Sequence, residues 1–469
     1  MGKIVGAYLM PHPPIIIREI GKGEQTKAQS TVDSMVAVAH EIENKKPDTI
    51  VLISPHGPIF SDAIGIMNMP KLKGNFTRFG SPDLSYTFKQ DGELIGKIII
   101  EAQKMGVLAV GLDGSMCSSY RLSKDLDWGV LVPLHFVNQR YTDYKLVAMG
   151  ISHLPVHKLY TFGLAIKKAV ESHNGDIVII ASGDLSHRLK EDGPYGYHPA
   201  GEKLDNLITT LLGKGDVLGL LGIDPSLAEE GAECGLRSII MALGTLDGQS
   251  FNSEIHSYEG PFGVGYCVAS MEPGKPDESQ SYIGSLYENT NKLLKEIRDN
   301  EDEYVRLARQ SLEEYILYGT TFDSWDTLPE AMIKEQAGTF VTIKLDGRLR
   351  GCIGTIEPTR KNIAQEIIHN AISAGSKDPR FLPVREEELS NLVYSVDILK
   401  APEAIESINQ LDVKRYGVIV RKDTKTGLLL PNLDGVNTPA EQVQIALEKA
   451  GINKGEPYTM ERFEVIRHH

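Results

Sequence analysis

The first half of the chain is punctuated by short, almost wholly apolar runs. Lys3–Leu9 (KIVGAYL), Thr49–Ser54 (TIVLIS), Val107–Leu112, Lys145–Ile151 and Asp176–Ala181 are rich in Val, Ile and Leu and do not alternate strictly. A strand covered on both faces has no polar side to display, so these runs predict strands of a buried sheet. Between them, Glu93–Met105 and His157–Ser172 repeat apolar residues at helical spacing. Strands and helices in this alternation predict an α/β domain with a central sheet, parallel or mixed, covered by helices.

The second half is patterned differently. Asp302–Tyr318 reads as an amphipathic helix, and Thr339–Leu345 (TFVTIKL) alternates cleanly. Asp346-Gly347 makes a two-residue hairpin turn, and RLRGCIGTI returns as the partner strand. Asn362–Ala374 carries Ile363, Ile367, Ala371 and Ala374 on one helical face. These features predict an α+β domain with an antiparallel, hairpin-based sheet. The polar, proline-bearing stretch MEPGKPDESQS (Met271–Ser281) separates the halves. The expected division is therefore a domain over 1–271, a linker over 272–289 and a second domain over 290–469.

A chain of 469 residues has ample material for two cores. Its 49 Lys and Arg against 63 Asp and Glu give a formal charge of −14. Such a balance argues against nucleic acid or an anionic membrane surface as a partner. The four cysteines form no CxxC pair, which argues against a zinc knuckle and suits a reducing cytoplasm. Pro11 and Pro13 interrupt the N-terminal apolar run, so it does not read as a signal peptide, and no run is long enough for a membrane helix.

The candidate chemistry sits where the apolar runs end, which is where ligands gather in open α/β sheets. MPHPP brings His12 after the first run, SPHGP brings His56, SHLP brings His153 and SGDLSH brings His187. Neutral imidazole is a common metal ligand, and the prolines flanking His12 and His56 restrict the backbone that presents them. Two histidines with one carboxylate form a facial site that suits Fe(II) and leaves positions open. The stretch EEGAECGLRSIIMALG (Glu229–Gly244) offers the third ligand. Its Leu236, Ile239, Ile240 and Leu243 form a helical stripe, with Glu233 and Cys234 near the helix start. Helical neighbours point about 100° apart, so one of the two is expected to face the metal. His187 is a candidate general base, and Asp184 is a candidate to orient it.

In their order, MPHPP, SPHGP, SGDLSH, GAECGLRS and YEGPFGVGYCVAS resemble the class III extradiol ring-cleavage dioxygenases of the catalytic-subunit type and the related Memo proteins. The resemblance spans about residues 1–271. It implies Fe(II) held by His12, His56 and Glu233, with His187 as acid/base residue and a catechol-like or phenolic aromatic as substrate. His153 and Asp184 then become substrate-contact candidates. The Memo branch implies Cys234 as the third ligand, with zinc or copper as alternative metals. Where these dioxygenases often carry Asp-His before Val-Pro-Leu, this chain has Asp127 followed by Trp128.

LRGCIGTIEP and DPRFLPV resemble the AMMECR family over about residues 290–467. Fusions of this kind imply a radical-SAM protein as partner. Within the motif, Arg348 and Arg350 could favour a thiolate at Cys352, but a packed strand cysteine beside a bulge is the expected reading, with Cys352 and Arg350 kept as candidates. Two functions are therefore expected: an extradiol-type oxidoreductase, or a metal-binding interaction protein without ring-cleaving activity.

Overall fold

The computed structural model describes residues 1–322, 328–433, 435–453 and 455–469. The chain divides into two compact units, Met1–Glu288 and Asn289–His469. Each strand and helix expected from the pattern is present, with ends shifted by a residue or two.

The first unit is built on a 10-stranded mixed sheet. Its strands are β1 (Lys3–Met10), β2 (Thr49–Ser54), β3 (Ile64–Met67), β4 (Lys71–Phe76), β5 (Ser81–Gln90), β6 (Ala109–Leu112), β7 (Lys145–Gly150), β8 (Asp176–Ser182), β9 (Gln249–Glu259) and β10 (Tyr266–Pro276). The main path runs β4-β5-β7-β2-β8-β1-β10-β9, and β3 joins β6 to β7 off that path. The centre, β7-β2-β8-β1, is parallel throughout. The continuous apolar runs feed two cores, one on each face. Val51, Ile53, Ile177, Ile179, Ala7 and Leu9 lie in one, whereas Ile50, Leu52, Val178, Ile180, Tyr8 and Met10 lie in the other. Burying each large aliphatic side chain contributes about 1.5–3 kcal/mol, so these strands have no register in which a face is free.

The stretch expected as a linker begins as strand. β10 continues to Pro276, pairing Pro273 with Phe251 and Pro276 with Gln249, before a turn at Glu278–Gln280 and a helix at Ile283–Asp299. Among the described residues, its strand partner at that end is the outermost strand β9, and such peripheral pairing tolerates proline and charge.

Among the described residues, the second unit carries two four-stranded antiparallel sheets. The first contains β11 (Thr339–Leu345), β12 (Arg348–Gly354), β13 (Leu392–Leu399) and, at its edge, the C-terminal strand Val465–His468. Helix Ile363–Ser376 buries the expected face, Ile363, Ile367, Ala371 and Ala374, in this unit's core. Among the described residues, no helix is long and apolar enough to cross a membrane.

Candidate metal centre

The four strands expected to deliver histidines prove to be neighbours, in the order β7-β2-β8-β1. β8 lies between β1 and β2, so the loops bearing His12 and His56 converge over its end. Their Nε2 atoms face each other at 2.8 Å, with the rings edge-to-face at 4.6 Å. Cys234 completes the group, its Sγ 3.7 Å from His12 Nε2. One ligand atom from each of His12, His56 and Cys234 lies within 4.8 Å of the others, which is the one such group among the described residues.

Hydrogen bonds fix the tautomer of His12. Ser182 Oγ lies 2.6 Å from the Gly129 carbonyl, which only accepts, so the single hydroxyl proton points there. Ser182 Oγ must then accept from His12 Nδ1–H at 2.9 Å. That leaves the Nε2 lone pair of His12 directed at the group. Burial holds both imidazoles neutral, lowering the pKa of His12 and of His56 to about 3, with neighbouring histidines adding to the effect. His56 is held from its other side by Trp128, stacked on it at 4.1 Å and 27°. The His56 amide also donates to Ser54 Oγ, which donates to Asp127 Oδ1 at 2.6 Å. Replacing Ser182 with alanine frees the His12 ring. Metal affinity is expected to fall about 10–100-fold, the usual effect of losing such a support. A competitive chelator titration measures this, and unchanged affinity contradicts the tautomer assignment.

The stretch 229–244 is not one helix. Helix Pro225–Gly231 ends at Ala232, whose φ of 52° is left-handed, and a new helix runs Leu236–Gly244. Glu233 and Cys234 occupy the turn between them and diverge. Glu233 caps the second helix, its Oε2 accepting from the Leu236 amide at 2.5 Å. Burial pushes the Glu233 pKa up to about 7. Cys234 turns toward His12, and burial raises its thiol well above the ordinary range, so metal binding there must displace a proton.

Asp184 ties these loops together. It accepts from the His12 amide at 2.9 Å, its carbonyl accepts from the Cys234 amide at 3.3 Å, and burial raises its pKa to about 6. His187 stands beside the group, its ring edge-to-face with Tyr195 at 5.7 Å. The enclosed Nδ1 of His187 has no hydrogen-bond partner among the described residues. His153 lies outside the group and is exposed. His135 is a core histidine, bonded to Tyr86 and Gln139 through both ring nitrogens.

Sequence reasoning missed Ser182, whose signal was its place inside SGDLSH. It also missed the cavity of about 460 Å³ bordered by His56, Trp128, Arg78 and Arg121.

In the second unit, Cys352 lies half-buried on β12. Burial raises the thiol pKa, in keeping with the packed strand cysteine rather than the thiolate. Arg350 is committed elsewhere, to both carboxylate oxygens of Glu388 at 2.7 and 3.0 Å.

Fold and site together define an α/β protein in which two histidines and one cysteine that could hold a metal ion meet at the ends of parallel strands. Residues 6–269 match the family model described as the catalytic LigB subunit of aromatic ring-opening dioxygenase, and residues 305–468 match AMMECR1. The chain belongs to the ring-opening dioxygenase family, fused to an AMMECR1 domain. A protein of Clostridium acetobutylicum is 45% identical over 464 residues, 99% of this chain and 98% of its own length. A protein of Thermotoga maritima is 47% identical over 171 residues, 35% of this chain and 98% of its own length. A crystal structure of a Pyrococcus horikoshii protein covers 35% of this chain and 88% of its own, at 32% identity and a TM-score of 0.33.

Proposed function

We propose that the first unit is a non-haem metal oxidoreductase of the extradiol type, acting on a catechol-like or phenolic aromatic. The observation that carries this reading is the convergence of His12, His56 and Cys234, with the Nε2 lone pair of His12 directed at the other two. Two neutral imidazoles and a thiol fit a divalent first-row metal. Fe(II) is the metal of the oxidoreductase reading, and the sulfur donor also suits zinc or copper. When bound, the metal supplies Lewis-acid activation of a phenolic hydroxyl and electron exchange with dioxygen. His187 acts as the base that takes the substrate proton and returns it as an acid, through a ring held against Tyr195. Asp184 holds the His12 and Cys234 backbones in place rather than meeting substrate.

The test is anaerobic loading of the full chain with Fe(II), followed by a panel of catechols with oxygen, watching for a yellow ring-opened product. Product is expected, and His187→Gln is expected to lower turnover about 10²–10⁴-fold.

A second reading is favoured by Cys234 in the ligand group and by Trp128 on His56. In it, the first unit is a Memo-type metal-binding interaction protein working with a radical-SAM partner. Full metal occupancy with no product across the panel supports this reading and contradicts the first.

A further inference from the structure

We infer that a cavity in the second unit, bordered by helices Glu303–Tyr318 and Ile363–Ser376, binds an anionic amphiphile: a carboxylate joined to an apolar body of medium-chain acyl size. The cavity, about 540 Å³, is of a size for a small ligand. Neither the cavity nor its chemistry depends on the metal centre of the first unit.

Helical spacing sorts the lining into two rows, because residues four apart lie one above the other. Gln365, His369 and Ser373 follow that spacing, and Lys377 extends it just past the helix end. At 1.5 Å per residue this polar row is about 18 Å long. It presents donors. Gln365 Oε1 accepts from the Lys361 amide at 3.3 Å, which leaves the Gln365 NH₂ to donate outward. Beside it run Ile368 and Ile372, and Tyr315 and Phe322 add aromatic surface. A ligand that answers both rows needs a charged, hydrogen-bond-accepting head and an apolar body.

Cations stand at both ends, Arg360 ahead of the helix and Lys377 behind it, in a chain of formal charge −14. Among the described residues, neither has a carboxylate within ion-pair distance, and no carboxylate lines the cavity. Glu366, on the same helix, is fully buried and already engaged. Its Oε1 accepts from the Thr355 and Thr359 hydroxyls at 2.8 Å, and its Oε2 from the Thr359 and Arg360 amides at 2.8 Å. Those bonds fix the Arg360 main chain at the cavity edge. Ser373 is 6% exposed and lines the cavity, and its hydroxyl has no hydrogen-bond partner among the described residues. Leaving a buried hydroxyl unpaired is unfavourable. A carboxylate held by Lys377, one turn further on, accepts from it. An inorganic anion leaves the isoleucine row uncovered, and a neutral hydrocarbon leaves Ser373 and both cations unanswered.

Calorimetry on the full chain compares octanoate with octanamide, its uncharged counterpart, and with butyrate, which keeps the charge and loses four methylenes. Octanoate is expected to bind about 10-fold or more tightly than octanamide, the scale of hydrogen bonds to a charged group. It is expected to bind about 100-fold or more tightly than butyrate, the scale of burying the lost methylenes. Lys377→Gln, at an exposed position, is expected to bring the octanoate-to-octanamide ratio near unity, and Arg360→Gln to lower it by less. Equal affinity for octanoate and octanamide marks a plain apolar groove, and equal affinity for octanoate and butyrate marks a plain anion site. Either result overturns the proposal, as does a ratio unchanged by Lys377→Gln or the absence of saturable octanoate binding.

Discussion

Cys234→Ala is expected to lower metal affinity by more than about 100-fold, beyond the 10–100-fold typical of losing a supporting residue. The thiol offers one of the three candidate ligand atoms, with Sγ 3.7 Å from His12 Nε2. Glu233→Gln is the matched comparison, one residue away. Its carboxylate is spent on the Leu236 amide at the start of a helix, and a glutamine oxygen can accept the same bond. Metal affinity in Glu233→Gln is therefore expected to stay within a few-fold of the parent. Elemental analysis and chelator competition on both variants read the outcome. The opposite pattern, with Glu233→Gln stripped of metal and Cys234→Ala unaffected, would make the carboxylate the third ligand and restore the two-histidine, one-carboxylate set.

Gly183→Ala is expected to destabilise the first unit by about 1–3 kcal/mol and to weaken metal binding at the same time. A Cβ at Gly183 would stand 2.2 Å from the Gly235 Cα, which is backbone and cannot rotate away. Gly183 follows β8 in the SGD segment, and Gly235 follows Cys234, so the two loops that build the site touch through their main chains. Separating them moves Cys234 away from His12. Gly96→Ala is the control, because nothing lies within 4 Å of its added Cβ. In helix Gly92–Lys104 that change is expected to stabilise by about 1 kcal/mol and leave metal affinity alone. Denaturant midpoints and metal affinity of the two variants check this, and parental metal affinity in Gly183→Ala contradicts it.

The centre of the fold was legible because burial on both faces writes itself into a strand as an unbroken apolar run. Once β1, β2, β7 and β8 were recognisable, the histidines following them stood out as a set. Strand order was not legible, and it is strand order that turns the set into a site. β8 between β1 and β2 brings His12 and His56 together, while His153, after β7, is left exposed and outside the group. The choice between Glu233 and Cys234 was obscured for a local reason. The apolar stripe put both residues near the start of the following helix, where spacing alone leaves either one facing the metal, but the left-handed Ala232 ends the preceding helix and the two side chains leave the turn in different directions. The hairpin of β4 and β5 was missed because its strands are partly exposed and carry charge, so Arg78, next to them, offered no signal. At Cys352, nearby arginines suggested a thiolate, whereas the pairing of Arg350 with Glu388 and the burial of the thiol depend on contacts distant in sequence.

The central claim is that sulfur and imidazole nitrogen together hold a metal in the first unit. X-ray absorption on the zinc-loaded full chain tests it most directly. The account predicts one sulfur at about 2.3 Å and nitrogen ligands at about 2.0–2.1 Å, with the sulfur contribution lost in Cys234→Ala. A first shell made of nitrogen and oxygen alone in the parent protein would contradict it.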